Sequence, residues 1–342
     1  MFKLLDNVTQ GEGKEHPNFT KDSRVLIIDG LNLFFRNFAV LNFINPKGVH
    51  IGGIGGFLRS LGSLVKLVKP TAVYVVFDGV NSSLNRKNLI PEYKSERGMK
   101  RITKSFAFDN LQEENDAKVN QIRRLIHYLD CLPVKVISIP KSEADDVISH
   151  LSTSIASKDN SKVYIVSADN DFIQLVNDKI TLYSPIKKLF FTEKTIEENF
   201  GLPAKNHILY KSLLGDNSDK LKGVKGLGKG KLYKLFPTLQ TEIMSLDDIF
   251  KICEEKYKDH VIYSRIILDK EDIQNKYKIM DLSNPIIDDN GIEELNNLID
   301  STSLNLQIDE FVKMHLEDGL GHLVANPSFW IRENFQTLKN YK

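Results

Sequence analysis

The sequence predicts an α/β fold, in which a mostly parallel, doubly wound sheet carries helices on both faces and is followed by an all-helical region. Two observations support this fold class. Short β-branched apolar runs alternate with segments of helical periodicity up to about residue 190. Such alternation is typical of parallel sheets built from right-handed crossovers. No strand pattern returns after Thr192, so the remainder is predicted to be helical.

The elements follow in order. Residues 1–22 are polar without a clear period and are predicted to be an N-terminal extension. Five buried strands are predicted, because each run is short, apolar and bounded by turn signals: 24–30, 72–79, 134–139, 162–167 and 180–183. Helices are predicted where apolar residues recur at spacings of three and four: 57–68, 116–130 and 142–155. Ser142 is expected to be the N-cap of the last of these.

Length and composition suggest two domains in an ordinary globular chain. The chain has 342 residues, a net charge of +1 and 41% hydrophobic residues. We expect an α/β domain over 23–190 and a helical domain over 191–342. The apolar runs are far shorter than the roughly 20 residues of a membrane span, so no membrane partner is expected. Cys131 and Cys253 stand far apart, which indicates buried thiols in a reducing, cytoplasmic setting rather than a zinc site.

Acidic residues follow the predicted strands. In a parallel sheet the carboxyl ends of the strands share one edge, where ligands bind. Each acid has a simpler explanation by itself, as an Asp-Gly turn, a helix-capping group or an Asx-turn, but those explanations require all of them to reach one edge by chance. The acids that we expect at or beside this edge are Asp29, Asp78, Glu143, Asp145, Asp146, Asp169, Asp171, Asp216 and Asp219.

So many neighbouring carboxylates cannot all stay ionised without compensating positive charge. A set of oxygen ligands without His or Cys favours Mg²⁺, with Mn²⁺ as a substitute, over zinc. Two such ions about 4 Å apart are suited to in-line displacement at phosphorus. The acids therefore predict phosphodiester hydrolysis.

Two segments are locally cationic. Residues 85–105 contain seven basic side chains against two acids, and residues 220–234 contain six lysines, several glycines and no acid. A glycine-rich loop lets backbone amides approach a phosphate while lysines neutralise its charge. A solvated helical face is the simpler explanation for residues 85–105. With the metal site, however, the two segments favour nucleic acid as the substrate.

The order of motifs resembles the 5′-nuclease, or flap endonuclease, family, and most of all its phage ribonuclease H type. The resemblance spans about residues 24–237. It rests on IIDG at 27–30, VVFDG at 75–79, IPEYKSER at 90–97, SEADDV at 142–147, SADNDFIQL at 167–175 and GDNSDKLKGVKGLGKGK at 215–231. It implies a PIN-like nuclease domain, an arch over about 81–115 and a helix-three-turn-helix element over about 205–237.

The resemblance also implies roles for the acids and for the arch. Asp29, Asp78, Asp145 and Asp169 would surround one Mg²⁺. Asp171, Asp216 and Asp219 would surround a second, with Glu143 and Asp146 binding directly or through water. Lys94 and Arg97 would contact the scissile phosphate, so that the catalytic set is Lys94, Arg97, Asp78 and Asp145. Arg86, Lys87 and Tyr93 would contact nucleic acid near its 5′ end.

The glycine-rich loop would bind duplex phosphates through Lys222, Gly223, Val224, Lys225, Gly226, Gly228, Lys229 and Lys231. In relatives the carbonyls of this loop can hold a monovalent cation. This chain departs from the family pattern at Lys220, where many relatives carry Asn. Residues 238–342 match the family poorly, and in phage relatives this region helps to engage a single-stranded-DNA-binding protein.

The activity implied is 5′ to 3′ exonuclease and flap endonuclease cleavage, with ribonuclease H activity that removes RNA primers in phage DNA replication. The expected partners are duplex DNA, RNA–DNA hybrid and 5′-flap DNA, bound by a monomer in the cytoplasm of the host. Two other functions stay open. A non-hydrolytic module for branched DNA would bind without turnover in Mg²⁺. A small-molecule phosphatase would need Asp-x-Asp after the first strand, whereas Gly30 and Leu31 follow Asp29.

Overall fold

The computed structural model describes residues 23–94, 101–103, 108–158, 161–300, 306–335 and 338. The predicted N-terminal extension, residues 1–22, and Arg97 of the predicted arch lie outside the described residues.

Strands and helices alternate in the first half of the chain, and helices dominate after residue 192. The strands are β1 Arg24–Asp29, β2 Ala72–Val76, β3 Lys135–Ile137, β4 Lys162–Val166, β5 Ile180–Ser184, β6 Leu189–Phe191, β7 Gly215–Asp216 and β8 Leu221–Lys222. The first helices are α1 Gly30–Val40, α2 Gly52–Val68, α3 Leu84–Leu89, α4 Leu111–Asp130, α5 Ala144–Ser157, α6 Glu193–Phe200 and α7 His207–Leu214. The later helices are α8 Lys229–Leu235, α9 Leu246–Glu255, α10 Val261–Leu268, α11 Lys270–Met280, α12 Asp289–Asp300, α13 Ile308–Asp318 and α14 Pro327–Phe335. Short 3₁₀ helices lie at Asn170–Leu175, Ala204–Asn206, Pro237–Gln240 and Leu320–His322.

The main sheet has the strand order β3-β2-β1-β4-β5-β6. The first five strands pair in parallel, and only β6 pairs antiparallel with β5. This confirms the predicted fold class and the five predicted strands. The expectation that no strand follows Thr192 is wrong, since β7 and β8 form an antiparallel hairpin. Each has two residues, too few to show a periodic pattern.

Two local predictions about helix starts need correction. The Asp-Gly pair after β1 predicted a turn, but α1 begins at once at Gly30, and the Asp29 carboxylate caps it by accepting from the amide of Asn32 at 3.1 Å. Ser142 is not the N-cap of α5. The N-cap is Glu143. The Ser142 backbone is already engaged, because its amide donates to the carbonyl of Ile139 at 3.2 Å and its carbonyl accepts from the amide of Gly79, after β2, at 3.0 Å.

Three hydrophobic clusters organise the described residues. One face of the sheet packs against α1, α2 and α4, and it is completed by residues of α13 and α14 such as Phe311 and Phe335. The other face packs against α5 and α12. The third cluster joins α7 to α11 around Leu213 and Phe236. The chain after residue 306 therefore returns to the sheet, and a domain boundary near residue 190 stays a prediction.

Cys131 and Cys253 are buried free thiols, as predicted. Among the helices that the structure describes, none has the length and apolar character needed to cross a membrane.

Candidate functional site

The carboxyl ends of β1, β2 and β4 form the floor of the site. The chain continues from β1 toward β2 and β3 on one side and returns to β4 on the other, which is the switch point where ligands bind in open α/β sheets. Asp29 ends β1, and its Oδ2 accepts from Ser167 Oγ just beyond β4 at 2.9 Å. Asp78, just beyond β2, accepts from the amide of Ala144 at 2.8 Å. The first bond links the ends of β1 and β4, and the second links the end of β2 to the start of α5.

Burial and mutual repulsion perturb the acids at this floor. Burial raises the pKa of Asp29 to about 7; bonds from Asn32 and Ser167 lower it, while Asp78 and Asp169 add to the rise. Burial also raises the pKa of Asp145 well above its ordinary value, and Asp169 and Asp29 add to this while Lys94 opposes it. Neighbouring carboxylates with raised pKa values attract a cation, because positive charge restores their ionised forms.

A second group of acids lies beside the first. Asp171, Asp216 and Asp219 are all buried, and one carboxylate oxygen from each lies within 4.8 Å of the others. Three oxygens at this spacing suit a hard divalent ion such as Mg²⁺ or Mn²⁺. We call these three residues the acidic triad. Asp171 lies in the 3₁₀ helix that Asp169 caps, and Asp216 and Asp219 lie in the β7–β8 hairpin.

Lys211 is a member of this site that sequence reasoning missed. Its ammonium contacts the carboxylates of both Asp171 and Asp216. Burial alone would raise the pKa of Asp216, but Lys211 and Ser218 outweigh burial and lower it. The available signal was a single charged residue in the otherwise uncharged helix HILYKSLL of α7, five residues before Asp216. The ammonium shows that the triad holds a positive charge, which supports the fit to a metal ion.

Glu143, one of the candidate acids, contacts three residues of the predicted arch. Its Oε2 accepts from Tyr93 at 3.0 Å and from Lys94 at 2.6 Å, and it lies 3.1 Å from Nη1 of Arg86. Burial would raise the pKa of Glu143, but Arg86, Lys94 and Tyr93 together lower it. Lys94 also donates its amide to the carbonyl of Asp219 at 3.4 Å. Tyr93 and Lys94 are thereby held beside the acids, and Tyr93 is only 3% exposed.

Arg86 and Asp146 adopt an arrangement that we did not predict. Arg86 is buried and donates two bonds to the Asp146 carboxylate and one to the carbonyl of Ile279. Asp146 also accepts from the amide of Ile286 at 2.9 Å. The pair instead joins α3, α5 and the segment after α11.

The described part of the predicted arch is anchored at both ends. At the near end Arg86 is buried in α3, whereas Lys87 is exposed. At the far end, buried Glu114 in α4 accepts from the amide of Ile102 at 2.9 Å and pairs with Lys118 at 2.6 Å.

The glycine-rich loop runs from β8 to α8. Its lysines Lys222, Lys225, Lys229 and Lys231 are exposed. Three of its carbonyls accept from cationic side chains: Lys222 from Lys276 at 2.6 Å, Lys225 from Arg265 at 2.7 Å, and Gly226 from Lys231 at 3.0 Å.

Two backbone positions explain the composition of this loop. A Cβ on Gly223 would lie 2.1 Å from the carbonyl oxygen of Leu214, so only glycine fits there. Lys220 has a φ of 63°, in the left-handed region where Asn is the more favourable residue.

Comparison with solved structures shows the fold. The flap endonuclease of bacteriophage T5, determined in complex with DNA and metal ions, superimposes with a TM-score of 0.62 and 20% identity, covering 86% of this chain and 99% of that one. The T5 5′-exonuclease with bound zinc superimposes with a TM-score of 0.61.

Comparison with sequences shows the family. The 5′-3′ exonuclease of Buchnera aphidicola is 32% identical over 213 residues, which cover 62% of this chain and 69% of the relative. DNA polymerase I of Bacillus subtilis is 31% identical over 258 residues, and the match spans only 28% of that longer protein. The model of the 5′-3′ exonuclease N-terminal, resolvase-like domain matches residues 24–201. The chain therefore belongs to the 5′-3′ exonuclease family.

Proposed function

We propose that this protein is a Mg²⁺-dependent 5′ to 3′ exonuclease and flap endonuclease that hydrolyses phosphodiester bonds near the 5′ end of DNA and RNA–DNA duplexes. The observation that carries the proposal is the buried acidic triad, whose carboxylate oxygens lie within 4.8 Å of one another. It lies beside a second set of acids at the switch point of the sheet. Family membership and the T5 neighbour, which binds DNA and metal ions, support the same activity.

The acids divide into two groups that would hold two ions. Asp29, Asp78, Asp145 and Asp169 would hold one, and the acidic triad would hold the other. When bound, these metals would lower the pKa of a water molecule and stabilise the leaving oxygen. Glu143 would bind metal directly or through water, and the contacts of Arg86, Tyr93 and Lys94 with its Oε2 would hold the carboxylate in place.

The basic residues would bind and orient the substrate. Lys94 would neutralise charge on the scissile phosphate, from a position held by Glu143 at 2.6 Å. Arg97 would assist it. The exposed lysines of the glycine-rich loop would bind duplex phosphates, with a shape set by the bonds from Lys276 and Arg265. We further propose that the natural substrates include RNA primers at 5′ ends in phage DNA replication, cleaved by a ribonuclease H activity.

Single-turnover cleavage tests the proposal. The substrates are a 5′-labelled RNA-primed DNA duplex and a 5′-flap duplex, each with Mg²⁺ and with a chelator. We expect short labelled products with Mg²⁺ only, and their lengths distinguish exonuclease from flap cleavage. Asp78→Asn should abolish cleavage and keep most DNA binding, whereas Asp309→Asn, at an exposed position in α13, should cleave normally.

The outcomes are distinct. Tight binding without cleavage in Mg²⁺ would instead support a non-hydrolytic module for branched DNA. Full cleavage by Asp78→Asn would contradict the proposal that Asp78 holds a metal ion. Cleavage of the DNA flap but not of the RNA primer would restrict the proposal to DNA.

Two further proposals concern partners. We propose that residues 238–342 engage a single-stranded-DNA-binding protein and that the chain is a monomer. A pull-down at low salt tests the first, and sedimentation equilibrium tests the second.

A further inference from the structure

The glycine-rich loop between β8 and α8 receives cationic side chains from two later helices. Lys276 of α11 donates to the carbonyl of Lys222 at 2.6 Å, and Arg265 of α10 donates to the carbonyl of Lys225 at 2.7 Å. By resemblance to the 5′-nuclease family, the carbonyls of this loop are expected to hold a monovalent cation. Two of them therefore already have positively charged partners from the chain itself.

The ammonium of Lys276 is buried. Its side chain is only 3% exposed, and the ammonium also lies 2.7 Å from the carboxylate of Asp272, which is 64% exposed. A buried charge needs hydrogen-bonding partners, and a bond from a charged donor is shorter and stronger than one from a neutral donor. The carbonyl of Lys222 is therefore held toward the protein, although the Lys222 side chain is exposed.

Arg265 packs against the turn of the loop at Gly226. The φ of Gly226 is +82°, and a Cβ at this position would lie 2.9 Å from Nη1 of Arg265. Glycine thus leaves the space through which the guanidinium reaches the loop. The carbonyl of Gly226 itself accepts from Lys231 of α8 at 3.0 Å. Two successive carbonyls, those of Lys225 and Gly226, therefore have cationic partners.

These contacts do not fit an additional monovalent cation on the same oxygens. Such an ion would have to compete with charged donors for the three carbonyls, and their positive charge would repel it. Carbonyl oxygens carry partial negative charge and would repel a phosphate, whereas backbone amides and lysines attract it. The side chains of the protein already neutralise these carbonyls, which leaves no need for an ion there.

We propose that Lys276, together with Arg265, replaces the monovalent cation of the glycine-rich loop and holds the loop in the shape that binds duplex DNA. Lys276 is a positioning residue, because its buried ammonium reaches the loop and is shielded from a ligand at the surface. The effect on duplex binding rests on the proposed function, whereas the replacement of the ion rests only on the contacts of the loop. Folding and DNA binding should thus not depend on which monovalent cation is present.

Two measurements on the full chain in KCl and in LiCl, at equal ionic strength, test this. The Kd for a fluorescent flap duplex is measured by anisotropy, with a chelator to prevent cleavage, and the melting temperature is measured without DNA. Li⁺ is the comparison ion, because it is strongly hydrated and replaces K⁺ poorly on carbonyl oxygens. The wild type should have the same melting temperature in both salts, and its Kd should agree within about twofold.

Lys276→Ala leaves an opening where the ammonium was. In LiCl its Kd should be about tenfold weaker than that of the wild type, and KCl should restore most of the affinity and raise the melting temperature, because K⁺ then binds in place of the ammonium. Lys278→Ala is the matched control, because Lys278 lies in the same helix but is exposed. It should behave like the wild type in both salts.

Arg265→Gln provides a second variant at a partly exposed position. It should show a K⁺ dependence of the same sign as Lys276→Ala but smaller, because Lys276 still neutralises its carbonyl. If Lys276→Ala does not fold in either salt, Arg265→Gln decides the question by the same two measurements.

Two results would overturn the inference. One is a wild type that binds the duplex at least about tenfold more tightly in KCl than in LiCl, which would show that the loop takes up an ion of its own. The other is that both folded variants behave identically in the two salts. If the wild type neither binds nor cleaves flap DNA while the melting temperatures follow the expected pattern, only the proposed nuclease function is lost. If it cleaves flap DNA in Mg²⁺ while the variants show no K⁺ dependence, only this inference is lost.

Discussion

Arg86 and Asp146, sixty residues apart in the chain, form a buried bidentate ion pair with N–O distances of 2.6 and 2.9 Å. The pair connects the near end of the predicted arch to α5, and the additional bonds to Ile279 and Ile286 extend it to the segment after α11. The fold therefore gives these two residues a joining role, although Asp146 stands in the acidic motif SEADDV.

The first prediction concerns this pair. Arg86→Met and Asp146→Asn should each lower the free energy of unfolding by about 3–5 kcal/mol, because each leaves an uncompensated buried partner. The double variant should be less unstable than the sum of the two. Chemical denaturation of all four proteins measures this coupling, and strictly additive losses would show that the pair is not energetically linked.

The second prediction concerns Lys211. In metal-free protein, Lys211→Met should lower the melting temperature, because Asp171 and Asp216 lose the cation between them. Added Mg²⁺ should then raise the melting temperature of the variant by more than it raises that of the wild type, since no ammonium competes for the site. A tenfold gain in Mg²⁺ affinity corresponds to about 1.4 kcal/mol.

Lys194→Met is the control, because Lys194 is 84% exposed and lies outside the site. A smaller Mg²⁺ effect in Lys211→Met than in the wild type would contradict the prediction.

The third prediction concerns Lys94. Lys94→Ala should slow single-turnover cleavage about 100-fold, as expected for the loss of one electrostatic contact to the reacting phosphate. The Kd for flap DNA should change little, because many other basic residues hold the duplex. Lys194→Ala serves as the control. A weaker Kd with an unchanged rate would make Lys94 a positioning residue instead.

The fourth prediction concerns acid stability. Burial would raise the pKa of Glu114, but bonds from Lys118, Thr103 and Ile102 outweigh it and lower the pKa to about 2. A depressed folded-state pKa gives stability that is fully present above the unfolded value near 4.5 and is lost as the pH falls toward 2. Between pH 5 and pH 3 the wild type should therefore lose about 1–2 kcal/mol more than Glu114→Gln. Denaturant titrations of both proteins at the two pH values measure this, and parallel losses would refute it.

The sequence by itself determined the sheet and the location of the acids. Apolar runs of one-strand length alternate with helical periods, and this local pattern depends only on neighbouring residues. Asp29 and Asp169 could be assigned to one edge, because parallel topology brings strand ends together whatever the details of packing. The short strands β6, β7 and β8 escaped prediction, because two or three residues carry no period.

Only the tertiary structure decided which charges meet. The contacts of Lys211 with Asp171 and of Arg86 with Asp146 both depend on residues that are brought together from distant parts of the chain. The return of α13 and α14 to the sheet likewise follows from long-range burial of residues such as Phe311. A local pattern indicates which residues are buried or charged, but the partner of each is set by the packing of whole elements, since charge and apolar surface are satisfied in space rather than along the sequence.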